Sequence, residues 1–203
     1  MRTFNIKPSV LLLSTLLFGV NSAIAAPVTY QIDSAHSFVN WTVRHVVAKT
    51  SGAFHDVSGH VVVDTENLAN SSVNAKINLL SVNSGHAKRD AHIKEKDYLD
   101  TASFAEAHFV STKVSATSAS EGVLTGNFTL HGITKEITLP FNVLGFGKDP
   151  WGGERSGFEA KTTIKASDYG LGWGTKPNGP VGDEVEITLL IEGVKPSAEK
   201  TKK

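Results

Sequence analysis

Histidine is the residue type that could most readily do chemistry in this chain, because a neutral imidazole binds metal ions and exchanges protons near neutral pH. The sequence contains eight histidines, but their spacing argues against a metal site. Paired histidine ligands on a helix lie four residues apart, whereas His86 and His92 are six residues apart. Ligands on one face of a strand lie two residues apart, and no two histidines have that spacing. Because the chain also lacks cysteine, we predict no metal site.

Motifs for catalysis are equally scarce. The sequence has neither a Gly-x-Ser-x-Gly nucleophile elbow nor a glycine-rich phosphate-binding loop that opens a helix. Without cysteine, a thiol nucleophile is excluded. Gly170, Gly172 and Gly174 lie between β segments with no helix after them, which indicates turns. We therefore predict that the protein is not an enzyme and has no catalytic residue and no cofactor.

The charge balance gives no reason to expect a nucleic-acid partner. The full chain has 20 basic and 20 acidic residues, so loss of Arg2 and Lys7 with the N-terminal segment leaves 18 against 20, or about −2. A nucleic-acid-binding domain carries a clustered excess of lysine and arginine that meets the phosphates. We expect no such partner.

The N-terminal segment is typical of a secretory signal peptide. Arg2 and Lys7 form its basic start, and the apolar run Val10–Val20 is too short to cross a bilayer. Ala23-Ile24-Ala25 has the small-x-small pattern that a signal peptidase recognises. We therefore expect residues 1–25 to be a signal peptide cleaved after Ala25, and the protein to be exported to the periplasm.

The rest of the chain is predicted to form one domain. It is long enough to bury a sizeable core, and neither an internal repeat nor a linker divides it. We place this domain at residues 26–194 and a disordered lysine-rich tail at residues 195–203. No second long apolar run follows the signal peptide, so we expect no membrane span.

Alternation of apolar and polar residues with a period of two predicts β-strands over most of the domain. In Phe38–His45, for example, Val39, Trp41 and Val43 point to one side and the residues between them to the other. The same pattern runs over 50–55, 58–64, Ser72–Leu80, 106–115, 122–130, 133–147, 154–167 and Val181–Ile191.

One stretch breaks this alternation. Ala87–Leu99 is rich in charged residues, and Asp90 with Lys94 forms an i,i+4 pair, so it predicts one amphipathic helix with Ser84 as its N-cap. The chain is thus all-β, with about eight or more antiparallel strands and one helix between strands. Such elements fit a β-sandwich or a closed barrel. Closure removes exposed strand edges, and eight strands are just enough to hold one small ligand.

Four ordered groups of residues between Tyr30 and Gly193 carry a resemblance to a known family. They are Ile32-Asp33-Ser34-Ala35-His36-Ser37 with Trp41-x-Val43-x-His45, Arg89-Asp90-x-His92-Ile93 with Asp97-Tyr98-Leu99-Asp100, Leu124-Thr125-Gly126-x-Phe128-Thr129-Leu130, and Asp149-Pro150-Trp151-Gly152-Gly153 with Asp168-Tyr169-Gly170-Leu171. In these motifs the sequence resembles the YceI-like family of exported lipid-binding proteins. The resemblance implies a lipocalin-like antiparallel β-barrel, an elongated apolar cavity for a polyisoprenoid chain, a periplasmic location and often a homodimer.

The side chains predicted to face inward form the candidate ligand-binding site. Periodicity alone indicates a packed core, whereas the resemblance makes these residues the wall of a cavity. The apolar ones are Val39, Trp41, Val43, Ile77, Leu79, Phe109, Phe128, Phe141, Phe158, Ile164 and Leu189. His45 continues the inward face of its strand, and Arg89 and His92 share one helix face, so these three could form a polar rim for a head group.

The resemblance therefore implies a binding or carrier protein that sequesters an isoprenoid lipid, such as a quinone or a polyprenyl chain. Its partner would be that lipid or another long-chain apolar small molecule. Such a chain needs no strong polar anchor, because burial contributes about 25 cal/mol per Å² of apolar surface. Two alternatives stay open. The protein could be an enzyme or accessory subunit of a periplasmic redox system acting on a bound quinone, or a structural stress-induced barrel with a filled interior and no ligand.

Overall fold

The computed structural model describes residues 26–174, 176 and 178–197. The predicted signal peptide lies outside the described residues, as does residue 198 onward of the predicted tail. At the start of that tail, the Lys195 backbone amide donates to the Glu154 carbonyl at 2.9 Å. The Lys195 ammonium also pairs with the Glu154 carboxylate at 2.9 Å, so this first residue is tied to the barrel.

Eleven strands form a single sheet among the described residues. The strands are β1 Val28–Ile32, β2 Phe38–His45, β3 Ala48–Phe54, β4 Val57–Val63, β5 Ser72–Asn78, β6 Val82–Asn83, β7 Glu106–Ala116, β8 Glu121–Leu130, β9 Ile133–Lys148, β10 Glu154–Lys165 and β11 Val181–Val194. The helix α1 spans Ala87–Ile93, and 3₁₀ turns occupy Ser34–His36, Leu68–Asn70, Leu79–Ser81 and Ala166–Tyr169.

The sheet closes on itself into an antiparallel barrel. Its order runs β1-β4-β5-β7-β8-β9-β10-β11, and β1 pairs back with β11 through Gln31 opposite Val194 and Ile32 opposite Gly193. Along the rest of its length β11 pairs with β2, so β1 and β2 together act as one bent strand of the wall. In the same way β3 continues into β4, and β5 continues into β6. Counted with these three combined strands, the barrel wall has eight strands. The predicted closed antiparallel barrel is confirmed.

Alternation along the strands places the apolar residues inside the barrel. In β2, Val39, Trp41 and Val43 are buried, while the intervening residues are half-buried or exposed. The β8–β9 connection is a two-residue turn in which His131 has φ +52° and Gly132 φ +74°. Positive φ at both positions suits the right-handed twist of the strands that the turn joins, and this fixes their register.

The helix is shorter than predicted and is capped differently. It spans Ala87–Ile93 instead of continuing to Leu99, and its N-cap is His86, whose side chain accepts from the Arg89 backbone amide. The prediction of Ser84 as the cap is wrong. After α1 the chain continues in turns, in which the Leu99 amide donates to the Ile93 carbonyl at 3.0 Å and Leu99 is 7% exposed.

An ion-pair network fastens the end of the barrel where β10 begins. The Arg155 guanidinium donates to Asp33 at 2.7 Å, to Asp149 at 3.0 Å and to Glu192. Hydrogen bonds from His36 and from Arg155 hold the pKa of Asp33 below its usual value against the opposing effect of burial. Hydrogen bonds from a backbone amide and from Arg155 lower the pKa of Asp149 in the same way. These carboxylates therefore stay ionised and keep the turns of this end joined to β11.

Candidate functional site

The barrel encloses a cavity of about 430 Å³. This volume lies within the range of roughly 300–1,000 Å³ typical of small-molecule sites, and the lining is almost wholly apolar. All the predicted site residues line it: Val39, Trp41, Val43, His45, Ile77, Leu79, Arg89, His92, Phe109, Phe128, Phe141, Phe158, Ile164 and Leu189. A barrel whose interior is filled by side chains would have no such space, so the structure does not fit the filled interior of the structural alternative, whereas the absence of a ligand stays untested. Contact of these residues with a ligand stays a prediction.

The cavity stays open because large aromatic rings lie against the barrel wall. Trp41 sits opposite Gly52 on the neighbouring strand, and a Cβ atom built on Gly52 would be 2.4 Å from the indole Cζ2. Likewise, a Cβ atom on Gly126 would be 2.4 Å from Cζ of Phe109. Each ring thus occupies the space that a side chain on the neighbouring strand would otherwise take. The wall gains aromatic packing while the centre of the barrel remains free.

One end of the cavity reaches the surface beside α1, and we call this end the mouth. It is formed by His45, Arg89, His92, Tyr98 and Trp173, which all line the cavity. The side chain of His92 is 58% exposed, so the cavity and solvent meet there. The rings of His92 and Tyr98 contact edge-on at 4.4 Å, and Tyr98 stacks on Trp173 at 5.4 Å. The mouth therefore combines aromatic surfaces with the three polar groups predicted for the rim.

Arg89 is held in place by Ser84. Its Nε donates to the Ser84 hydroxyl at 2.8 Å, and its Nη2 donates to the Ser84 carbonyl at 2.6 Å. Asp90 accepts from the backbone amide and the hydroxyl of Ser84, so Ser84 connects the two charged residues. Burial alone would raise the pKa of Asp90, but these hydrogen bonds outweigh it and the pKa lies below its usual value. Arg89 also lines the cavity, and its Nη1 has no hydrogen-bond partner among the described residues.

Two buried indole donors at the cavity wall have no hydrogen-bond partner. Nε1 of Trp41 and Nε1 of Trp173 are unpaired among the residues that the structure describes. An indole N–H can only donate, and leaving a buried donor unpaired costs about 1–3 kcal/mol. An acceptor oxygen is the chemical group that would satisfy either one.

Sequence reasoning missed the mouth residues that lie outside regular elements. Tyr98 and Trp173 lie in connections, where no periodicity marks a residue as inward. Tyr98 belongs to one of the motifs that carry the family resemblance, and this was the signal that could have identified it. Several strand residues at the opposite end of the cavity, among them Val61, Val63 and Val143, were also missed.

One cluster has the composition of a metal site but already holds a cation. Ligand atoms of Asp33, His36 and Glu192 lie within 4.8 Å of one another. Nη1 of Arg155, however, donates to both carboxylates of this cluster. The guanidinium thus supplies the positive charge that a metal ion would bring, and the cluster fits a structural role.

Among the described residues, no helix is long and apolar enough to cross a bilayer.

Comparison with known proteins agrees with this architecture. The family model for the YceI-like domain matches residues 30–193. Protein YceI of Salmonella arizonae is 40% identical over 183 residues, which cover 90% of this chain and 94% of that protein. The crystal structure of Burkholderia cenocepacia BcnA matches with a TM-score of 0.71 and 26% identity, covering 79% of this chain and 98% of that one.

A further solved structure shares the fold at lower identity. It is a polyisoprenoid binding domain from Saccharophagus degradans, with a TM-score of 0.61 and 21% identity, covering 83% of this chain and 99% of that one. The family match spans the barrel from β1 to β11, including every strand that surrounds the cavity. The chain therefore belongs to the YceI-like family.

Proposed function

We propose that this protein binds one isoprenoid lipid inside its barrel and carries it through the periplasm. The observation that supports this most directly is the apolar cavity inside the barrel, with polar side chains gathered at its mouth. The related fold described as a polyisoprenoid binding domain in Saccharophagus degradans points to the same class of ligand. The apolar chain of the ligand would lie along the barrel, and its head would lie between α1 and the end of β2.

Apolar burial is sufficient to hold such a ligand. Each buried methylene group contributes about 0.8 kcal/mol, so about ten of them contribute roughly 8 kcal/mol before the cost of ordering the chain. That gross value corresponds to a micromolar dissociation constant. The walls supply this energy without any charged partner.

The polar groups of the mouth favour a head that accepts hydrogen bonds. In the mouth, the indole N–H of Trp173 and the guanidinium of Arg89 are donors, and the indole N–H of Trp41 is an unpaired donor on the wall of the same cavity. His45 and His92 can each donate as well. A quinone carbonyl or the hydroxyl of a polyprenyl alcohol would meet these donors, whereas a head made only of donors would leave them unpaired.

The first experiment is to fill the cavity from within. Ala160 lines the cavity, and Thr163 lies on the exposed outer face of the same strand. A cavity of about 150 Å³ is enough to hold benzene, so a phenyl ring takes a large share of the available volume. We expect Ala160→Phe to weaken binding of a long-chain quinone at least tenfold, measured by quenching of tryptophan fluorescence. Thr163→Phe should bind as the wild type does.

Ligand identity is tested by organic extraction of protein purified from its native periplasm, followed by mass spectrometry. The proposal requires an isoprenoid near one molecule per protein in the wild type and much less in Ala160→Phe. Repeated empty extracts, together with unchanged thermal unfolding when isoprenoids are added, would refute it. Size-exclusion chromatography with light scattering tests the homodimer that the family resemblance implies.

A second candidate is an enzyme or redox accessory subunit that acts on a bound quinone. The observation that favours it is the position of His45 and His92, two groups able to exchange protons where the cavity meets solvent. In that case His45→Ala or His92→Ala would abolish turnover and leave quinone affinity nearly unchanged. A carrier would show no turnover in any variant.

A further inference from the structure

The hairpin between β2 and β3 carries two exposed valines at its tip. His45 pairs with Ala48, which leaves Val46 and Val47 as a two-residue turn. The side chain of Val47 is 96% exposed and that of Val46 is 54% exposed. Turns of this length favour asparagine, aspartate and glycine, which tolerate both positive φ and contact with water. A pair of valines provides neither property, and this chain does not bury them.

The backbone of this tip is held in an unfavourable conformation. Val46 has φ +52°, a region that β-branched residues rarely adopt. Its amide donates to the Pro180 carbonyl at 2.6 Å. The Arg44 guanidinium donates to the carbonyls of Val46 at 3.1 Å and Gly179 at 3.0 Å. The tip is therefore a fixed projection, braced against the connection that precedes β11.

This projection stands beside the mouth of the cavity. His45, which immediately precedes the tip, lines the cavity, and so do Pro180 and Val181 on the segment that braces it. Val46 and Val47 themselves do not line the cavity but project next to residues of its mouth. The strained backbone of Val46 and the exposed side chains of both valines thus lie next to the opening that a ligand would use.

The size and charge of the tip indicate what it meets. Two valines expose far less than the roughly 800 Å² per partner that a stable protein–protein interface buries. A bilayer surface, in contrast, accepts small apolar side chains next to cations. Arg44 supplies such a cation, since its guanidinium bonds only to carbonyls and has no carboxylate partner within the described part of the chain.

We propose that the Val46-Val47 tip inserts into the surface of a lipid bilayer and so brings the cavity mouth to the membrane. This step rests on the proposed function, because it gives the bound isoprenoid a direct path between the bilayer and the barrel. The tip and Arg44 would contact acyl chains and phosphate groups respectively, while the barrel stays outside the membrane.

The test uses the double variant Val46→Gly, Val47→Ser. Glycine accepts the positive φ of residue 46 without strain, so the variant should unfold at a temperature no lower than that of the wild type. Co-flotation with vesicles of phosphatidylethanolamine and phosphatidylglycerol should weaken about tenfold, since burying two valines contributes at least 1.4 kcal/mol. The rate of quinone transfer from these vesicles should fall with it.

Two control variants make the result specific. Val110→Ser removes an equally small apolar side chain, 45% exposed on the outer wall of β7. Trp151→Ser removes the 86% exposed indole of the β9–β10 turn at the opposite end of the barrel. Both should float with vesicles as the wild type does. Equal loss in the Trp151 variant, or no loss in the double variant, would overturn the docking proposal.

Other partners give different results. If the tip contacts a second copy of this chain, the double variant will change the mass measured by light scattering without vesicles, which also overturns the proposal. Flotation is measured without isoprenoid, and equilibrium binding is measured with quinone dispersed in detergent. A wild-type protein that does not bind quinone in detergent therefore contradicts the proposed function. A double variant that floats with vesicles as well as the wild type contradicts only the docking.

Discussion

Replacing Gly52 with alanine tests whether aromatic rings keep the cavity open by lying against the wall. In the wild type, the Trp41 indole occupies the space over Gly52 on the inward face of β3. The added Cβ would lie 2.4 Å from Cζ2 of Trp41 and 2.7 Å from the backbone oxygen of Asn83. Neither approach is tolerated. The ring must therefore swing toward the centre of the barrel, or β3 must move away from β6.

The size of the effect follows from this overlap. Overpacking of this kind lowers the free energy of unfolding by about 1–3 kcal/mol. Replacing glycine with alanine also reduces the conformational entropy of the unfolded chain, which raises the free energy of unfolding by about 0.4–1 kcal/mol. We expect a net loss of about 1–2 kcal/mol. For a domain of this length that corresponds to a fall of about 2–8 °C in the unfolding temperature. Displacement of the ring into the cavity should also weaken quinone binding.

Circular dichroism during heating measures the stability, and tryptophan emission, to which Trp41, Trp151 and Trp173 contribute, reports a change in the environment of Trp41 as a difference from the wild type. Gly147→Ala is the matched control, because a Cβ there meets nothing within 4 Å and the residue lies in the same sheet. It should unfold at or slightly above the wild-type temperature. The reasoning is wrong if the two variants unfold alike, or if Gly52→Ala is destabilised while its emission and quinone affinity stay unchanged.

Two further predictions concern the dependence of stability on pH. Hydrogen bonds from His36 and Arg155 lower the pKa of Asp33, so its contribution to stability is complete above the ordinary carboxyl pKa and is lost as the pH falls through the lowered value. Urea unfolding between neutral pH and about pH 3 measures how much unfolding free energy is lost in acid, and we expect a smaller loss in Arg155→Met than in the wild type. Lys161→Met is the control, because the Lys161 ammonium forms its ion pair on the exposed outer wall, and it should lose as much as the wild type. Equal losses in the two variants would contradict the prediction. Burial raises the pKa of Tyr169 to about 12, so its contribution is complete below about pH 10 and is lost as the pH rises toward 12. Tyr169→Phe should flatten that alkaline loss, and an unchanged alkaline profile would show that another group is responsible.

The strands were accessible from sequence because each has one face in water and one in the interior. That contrast produces the period of two, and it placed the inward residues of β2 correctly. Closure of the barrel was not accessible in this way. It depends on pairing between Gln31 and Val194, which are far apart in the chain, and alternation is the same in a sandwich and in a barrel. Family resemblance supplied the choice that alternation could not.

The candidate site, like the fold, was predictable only where alternation along a strand marks a residue as inward. Strand residues were identified by their inward direction, whereas Tyr98 and Trp173 reach the cavity from connections that have no repeating pattern. The end of α1 was misjudged because the charged residues after Ile93 favour a helix by type and spacing, whereas the chain there forms turns held by backbone hydrogen bonds.

The sequence by itself determined that the chain is all-β and which face of each strand is apolar. These properties are local, because they depend only on residue type and the geometry of one strand. Only the tertiary structure decided that the apolar faces enclose space. The reason is that the register between strands sets which glycine lies opposite which ring, as with Gly52 and Trp41, and so decides whether the rings lie against the wall or fill the centre.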